Sequence, residues 1–281
     1  AQEWLIALNT STVRPASLDD KIRAAEDAGF GGLELWSNEL SDHAGAGHSL
    51  EALGRRLADA GLQVPNIIGL WNCMPESDGE RPAALGRVRA QMEEAAKIGA
   101  RHIAAVPTPD RPKIDLLWAA ERYRELLEVG EEYGVTPAVE FVGFFQGINR
   151  LGQAVAIAIE ARHPKACLVA DTFHLHRGGS GFEGVRHLAG SSIACFHLND
   201  APAQPAQFEQ GDEHRVMPGE GILPLPQLIR DLDAIGFRGP LSLELFNRDL
   251  WERDAVEVAR LGMQRIRAIL AEADLGARGD E

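Results

Sequence analysis

Asp27-Ala28-Gly29-Phe30-Gly31-Gly32-Leu33-Glu34-Leu35-Trp36 (DAGFGGLELW) decides the fold. The residues before it, 18–28, carry apolar side chains at helical spacing, and Ser17 stands ahead of Leu18-Asp19-Asp20 as an N-cap with acidic residues in the first turn. Gly29 then falls just past the helix, where a left-handed C-cap is needed, and a short apolar strand begins at once over 32–36. The same helix, glycine, strand junction returns in DAGLQ (59–63), KIGAR (97–101), EYGVT (132–136) and AIGFRG (234–239).

Working outward, apolar runs that read as strands fall at 4–8, 32–36, 64–68, 102–106, 138–142, 167–171, 193–198 and 241–245. Helix-periodic stretches fall between and after them at 18–28, 50–60, 83–98, 113–133, 151–162, 184–188, 226–235 and 254–273. Strands apolar along their whole length are buried on both faces, as a parallel sheet under helices requires. Eight such units closing on themselves predict an α/β chain with one domain over 1–281, a (β/α)8 TIM barrel; an open doubly wound sheet is the alternative. The irregular stretch 199–223 reads as a lid over the active site, and 274–281 as a flexible tail.

The composition narrows the function. Of 281 residues, 28 are Lys or Arg and 42 are Asp or Glu, a net charge of −14 that disfavours nucleic acid and anionic membranes as partners. Cys73, Cys167 and Cys195 form neither a C-x-x-C pair nor an even set, which fits a reducing, cytoplasmic setting, and no apolar run is long enough to span a bilayer. Gly179 to Gly184 matches G-x-G-x-x-G, but residues 172–178 separate it from its strand, so it is not a dinucleotide turn. The four lysines lie outside the strands, which disfavours Schiff-base chemistry.

In a barrel of this kind, polar residues at the C-terminal strand ends carry chemistry. Consecutive strands deliver Glu140 (AVEFVG), Asp171 (LVAD), His197 (ACFHLND) and Glu244 (LSLELF). Three carboxylates converging without a cation would repel one another and take up protons, so the set predicts one divalent ion. Oxygen-rich ligation with one imidazole and no thiolate suits Mn²⁺, Mg²⁺, Co²⁺ or Zn²⁺. His174, three residues after Asp171, is expected to face the site. Arg215 reads either as a clamp on substrate oxygens or as a surface ion pair with Asp212 or Glu213. Glu34 shares a strand face with Gly32 and Trp36, and two readings stay open for it: a group at the barrel mouth or a paired core glutamate. Trp36, Trp71 and Phe246 read as apolar walls or as ordinary packing, and Lys113 as a side chain reaching the mouth or a solvated helix start.

GFGGLELW, VEFVGF, LVADTFHLH, FHLNDA, HRVMPGEG and LSLELFN together resemble the xylose-isomerase-like TIM-barrel superfamily, most closely its inosose (2-keto-myo-inositol) isomerase branch, over essentially the whole chain. The resemblance implies one divalent ion, Mn²⁺ first, held by Glu140, Asp171, His197 and Glu244, with Glu140 and Glu244 moving protons and His174 binding substrate oxygen. It implies isomerisation or epimerisation of a small polyol ketone by way of a cis-enediolate. A dehydratase of inosose or 3-dehydroshikimate type is the alternative on the same ligands, and a non-catalytic sugar-binding protein the more distant one. The endonuclease IV branch needs further histidines after the third and fourth strands, where this chain has Leu70-Trp71-Asn72-Cys73 and Val106-Pro107-Thr108-Pro109. Oligomeric state is not legible in the residues, and the resemblance leaves a homodimer open.

Overall fold

A computed structural model describes residues 3–273; the expected tail at 274–281 lies outside the described residues. In chain order the elements are β1 Ile6–Asn9, α1 Leu18–Asp27, β2 Gly32–Trp36, α2 Ser37–Gly45, α3 Leu50–Asp59, β3 Ile67–Leu70, α4 Arg81–Lys97, β4 His102–Ala105 and α5 Leu116–Tyr133. There follow β5 Thr136–Glu140, α6 Leu151–Glu160, β6 Leu168–Asp171, α7 Thr172–Arg177, β7 Ile193–Leu198, α8 Leu225–Ala234, β8 Leu241–Leu243, α9 Arg248–Trp251 and α10 Ala255–Glu272. The strands pair in sequence order, all parallel, and β8 returns to β1 with Ile6 opposite Leu241, which closes the barrel.

The junctions behave as their chemistry requires. Ser17 Oγ accepts the Asp20 amide at 3.1 Å and starts α1. All five junction glycines, Gly29, Gly61, Gly99, Gly134 and Gly236, take positive φ between 69° and 82°, a backbone that side-chain-bearing residues resist. Several stretches differ from expectation: β3 falls at Ile67–Leu70 rather than 64–68, and α2, α7 and α9 were not foreseen. The expected helix at 184–188 is instead a 3-10 turn, Glu183–His187. Lys113 adopts φ 59°, so α5 starts later, behind Asp115, whose carboxylate accepts the Trp118 amide at 2.8 Å.

Alternation along each strand separates two environments. Leu33 and Leu35 of β2 face outward into the main apolar core, which fills the space between strands and helices. Inside the barrel a smaller apolar cluster (Ile68, Ala104, Ala138, Cys167, Val169, Ala194, Cys195) occupies the β3 to β7 side. The β1, β2 and β8 side is polar instead: Asn9, Glu34 and Ser242 are fully buried there. A polar interior is expensive unless every group is paired. Its pairing is what positions the candidate site.

Candidate metal centre

Glu140 closes β5, Asp171 closes β6, His197 lies one residue before the end of β7, and Glu244 follows β8 directly. The fold gathers all four: one ligand atom from each lies within 4.8 Å of the others, and all four residues are buried. His197 Nδ1 stands at the centre, 3.4 Å from Glu140 Oε1, 3.3 Å from Asp171 Oδ2 and 3.1 Å from Glu244 Oε2, with no hydrogen-bond partner. Its other nitrogen, Nε2, is 2.9 Å from Glu34 Oε2. Glu34 also accepts from Asn9 Nδ2 (2.7 Å), Asn66 Nδ2 (2.6 Å) and Ser242 Oγ (2.7 Å). A carboxylate so saturated accepts the Nε2–H hydrogen bond and fixes the ring with Nδ1 facing three carboxylate oxygens. A divalent cation satisfies that arrangement, and the residues present fit one.

The second grouping of ligand types, Glu34, Cys195 and His197, is already hydrogen-bonded: Cys195 Sγ lies 3.6 Å from Glu34 Oε2, whose oxygens hold the donors just named.

Charge in the cluster is unevenly held. Burial pushes the Glu244 carboxyl up to about 7, against the pull of His197 and Arg215. Burial also opposes ionisation of Asp171, but Arg215 and His174 outweigh it and hold that carboxyl well below the usual range. For His197 burial disfavours the charged ring, yet the Glu244 and Glu34 carboxylates raise its protonation well above the ordinary value. Asp171 Oδ1 meanwhile caps α7, accepting the Phe173 and His174 amides at 2.7 and 3.2 Å, so only Oδ2 is turned to the cluster.

Among the other expected site residues, Arg215 is 1% exposed: Nη1 reaches Asp171 Oδ2 at 2.8 Å and Glu244 Oε2 at 2.9 Å, and Nη2 holds Asp212 at 2.5 Å. It arrives from the segment 199–223, which Asp200 pins by accepting the amides of Gly219, Gly221 and Leu223. His174 Nδ1 accepts the Gly143 amide at 3.1 Å, which leaves the ring proton on Nε2, 3.3 Å from Arg215 Nη2. Two donors thus converge with no acceptor between them, and burial keeps the His174 ring in its neutral form. Glu34 lies inside the barrel beneath the cluster, where it holds His197. Trp36 stacks on Trp71 (6.4 Å between centroids) and meets Phe246 edge-on (5.8 Å), forming one wall of the mouth. Lys113 is exposed, and among the described residues no hydrogen bond or ion pair ties it to the cluster.

Sequence reasoning missed Asn9, Asn66, Ser242 and Asn199. Asn9 links two acids, donating to Glu34 and, at 3.2 Å, to Glu244, while its Oδ1 accepts the Trp36 indole N–H at 2.9 Å. Its signal was present: it is the last residue of β1, one position beyond the strand read from the sequence.

Comparison with known proteins places the fold among relatives. The chain is similar to the inosose isomerase of Bacillus velezensis, 28% identical over 268 residues that cover 93% of this chain and 95% of that protein. It is similar to the inosose isomerase of Bacillus licheniformis at 34% identity over 177 residues, covering 61% of this chain and 63% of that protein, so this match spans less than two thirds of the relative. Among solved structures it superimposes on the IolI protein with a bound zinc atom at a TM-score of 0.88 and 25% identity, covering 95% of this chain and 98% of that one. The family model described as xylose isomerase-like TIM barrel matches residues 22–269. The chain belongs to the xylose isomerase-like TIM-barrel family.

Proposed function

We propose that this chain is a divalent-ion-dependent isomerase of a small polyol ketone of inosose type, with Glu140, Asp171, His197 and Glu244 as the ligands. The observation that carries the reading is the unpartnered His197 Nδ1, buried among carboxylates from three neighbouring strands. Mn²⁺ is the ion assigned first, on the strength of three hard oxygen ligands and one nitrogen; the zinc in the similar IolI structure supports a divalent ion without selecting manganese. When bound, such an ion would supply Lewis-acid polarisation to a substrate carbonyl.

The chain's own groups account for the rest. Among the described residues no N–H or O–H donates to the Glu140 carboxylate, whereas Glu244 is held by Arg215 and Asn9. Glu140 is therefore the freer group to take the proton from the carbon beside the carbonyl, and Glu244, on the far side of the cluster, is the group placed to return one. His174 Nε2–H and Arg215 Nη2–H, converging with no acceptor, supply two hydrogen bonds to a substrate oxygen that gains negative charge as that proton leaves. The Trp36, Trp71 and Phe246 rings exclude water on one side of the mouth.

Incubating the purified protein with 2-keto-myo-inositol in deuterated water, with and without Mn²⁺, tests the reading. Metal-dependent incorporation of deuterium at the carbon beside the carbonyl, together with an isomeric ketone product, is expected. Absence of incorporation on a panel of polyol ketones overturns the reading, and growth of an ultraviolet enone band in its place assigns a dehydratase.

A further inference from the structure

The mouth of the barrel holds a cation that the cluster does not use. Arg14 follows the 3-10 turn Thr10–Val13 after β1 and is exposed. Its Cζ lies 5.6, 5.4 and 5.2 Å from the ring centroids of Trp36, Phe246 and Trp251. Among the described residues no carboxylate pairs with it and no acceptor takes its N–H groups. The neighbouring charges are engaged elsewhere: Lys21 is 2.7 Å from Glu39, and the same Glu39 accepts from Thr10 Oγ1 at 2.6 Å and the Trp36 amide at 2.9 Å.

Aromatic contact engages the faces of a guanidinium and leaves its planar N–H edge for a ligand. Arg14 borders a cavity of about 570 Å³ together with Ser11, Trp36, Trp71 and the exposed Asp42. Two sets of contacts tie Trp36 and Arg14 of that cavity to the metal cluster. Trp36 is linked to Glu244 through Asn9, and Arg14 and Arg215 both pack on the Phe246 ring, their Cζ atoms 5.4 and 4.9 Å from its centroid. Both guanidinium groups are thus within reach of one small polyol. In a chain of net charge −14 the general field repels anions, and Arg14, beside the exposed Asp42 and the Lys21–Glu39 pair, is a guanidinium free to offset it locally.

We propose that Arg14 anchors an oxyanion carried by the substrate at the end remote from its carbonyl, so that the substrate class is an acidic polyol ketone, a ketoaldonate or a ketose phosphate. The assignment rests on the polyol-ketone reading above and adds one charged group to it. Arg14 binds that group through charge-assisted hydrogen bonds from its free edge, while the four ligands, His174 and Arg215 receive the carbonyl end.

Trp36, Trp71 and Trp251 surround the site, so tryptophan fluorescence reports occupancy without turnover. The Mn²⁺-loaded protein is titrated with fructose, fructose 6-phosphate, 5-ketogluconate and inorganic phosphate, in the wild type and in Arg14→Gln and Arg14→Lys. Wild type is expected to bind one of the two charged ketoses at least about tenfold more tightly than fructose. Arg14→Gln is expected to abolish that preference and Arg14→Lys to restore part of it, with circular dichroism checking that each variant is folded. Equal affinity for charged and neutral ketoses in the wild type overturns the proposal, as does a preference that survives Arg14→Gln. Binding of inorganic phosphate with no gain for either charged ketose also overturns it. Deuterium exchange on a neutral ketose without any charge preference sinks this assignment and leaves the isomerase reading standing, while an Arg14-dependent preference with no exchange on any ketone does the reverse.

Discussion

Glu34 Oε2 stands 2.9 Å from His197 Nε2 in the closed interior of the barrel, both side chains fully buried. Five groups donate to this carboxylate, from Asn9, Asn66, Ser242, His197 and Cys195. An amide in its place would turn an NH₂ toward one donor pair and loosen the ring's orientation. Glu34→Gln should therefore weaken Mn²⁺ affinity by about tenfold to a hundredfold while the barrel stays folded, as measured by chelator competition beside circular dichroism. Unchanged metal affinity would show that Glu34 does not position His197.

Arg215 bridges the two acids that β6 and β8 contribute, with Nη1 at 2.8 Å from Asp171 and 2.9 Å from Glu244. Removing it leaves buried carboxylates without their partner, a loss of about 3–5 kcal/mol for a buried pair. Arg215→Ala should lower the melting temperature of the metal-free protein substantially, and Mn²⁺ should recover more of that loss than it adds to the wild type. Equal melting temperatures for metal-free wild type and variant would count against the bridge.

How the sequence disclosed these features follows from how each is encoded. The eight strands were legible because burial on both faces forces an apolar run, and a glycine after five of the helices fixed those junctions. α2 and α7 were not legible. Ser37–Gly45 is polar over most of its length, and Thr172–Arg177 is too short to show a period, being started by Asp171 acting as a cap. The four ligands stood out because charge in an apolar strand is costly. Asn9, Asn66 and Ser242 did not, because a neutral polar residue beside a strand carries no comparable signal until its partner across the barrel is known. Arg14 was missed for a further reason: its three aromatic neighbours come from β2 and from the segment after β8, far apart in the chain.

The thiols offer an independent check on packing. Cys73, Cys167 and Cys195 are all free and buried, and burial pushes Cys73 and Cys167 up to about 12 and Cys195 upward as well. Thiolate is the reactive form, so none should react with iodoacetamide in the native protein at pH 8, and all three should react after denaturation. Rapid labelling of Cys195 in the native state would show that the barrel interior opens.

Metal binding should release protons, and the sign follows from the cluster. Glu244 titrates at about 7 against 4.5 when unperturbed, and His197 is raised well above 6.5. A raised value means that the folded, metal-free protein holds a proton that the unfolded chain has already lost. The stability this contributes is complete below the unfolded values and is lost as pH rises through the folded ones. Asp171, held low by Arg215 against its burial, contributes the opposite way, present above its unfolded 3.8 and lost only in acid, so it does not alter the trend near neutrality. The metal-free protein should therefore lose melting temperature between pH 6 and 8, while the Mn²⁺-loaded form, in which the cation replaces those protons, gains, so the gap between the two widens. Calorimetric titration in buffers of different ionisation enthalpy should show protons released on binding at pH 6, and fewer at pH 8 as Glu244 ionises unaided. Proton uptake on binding, or a gap that narrows over this range, would overturn the assignment of Glu244 and His197 as ligands.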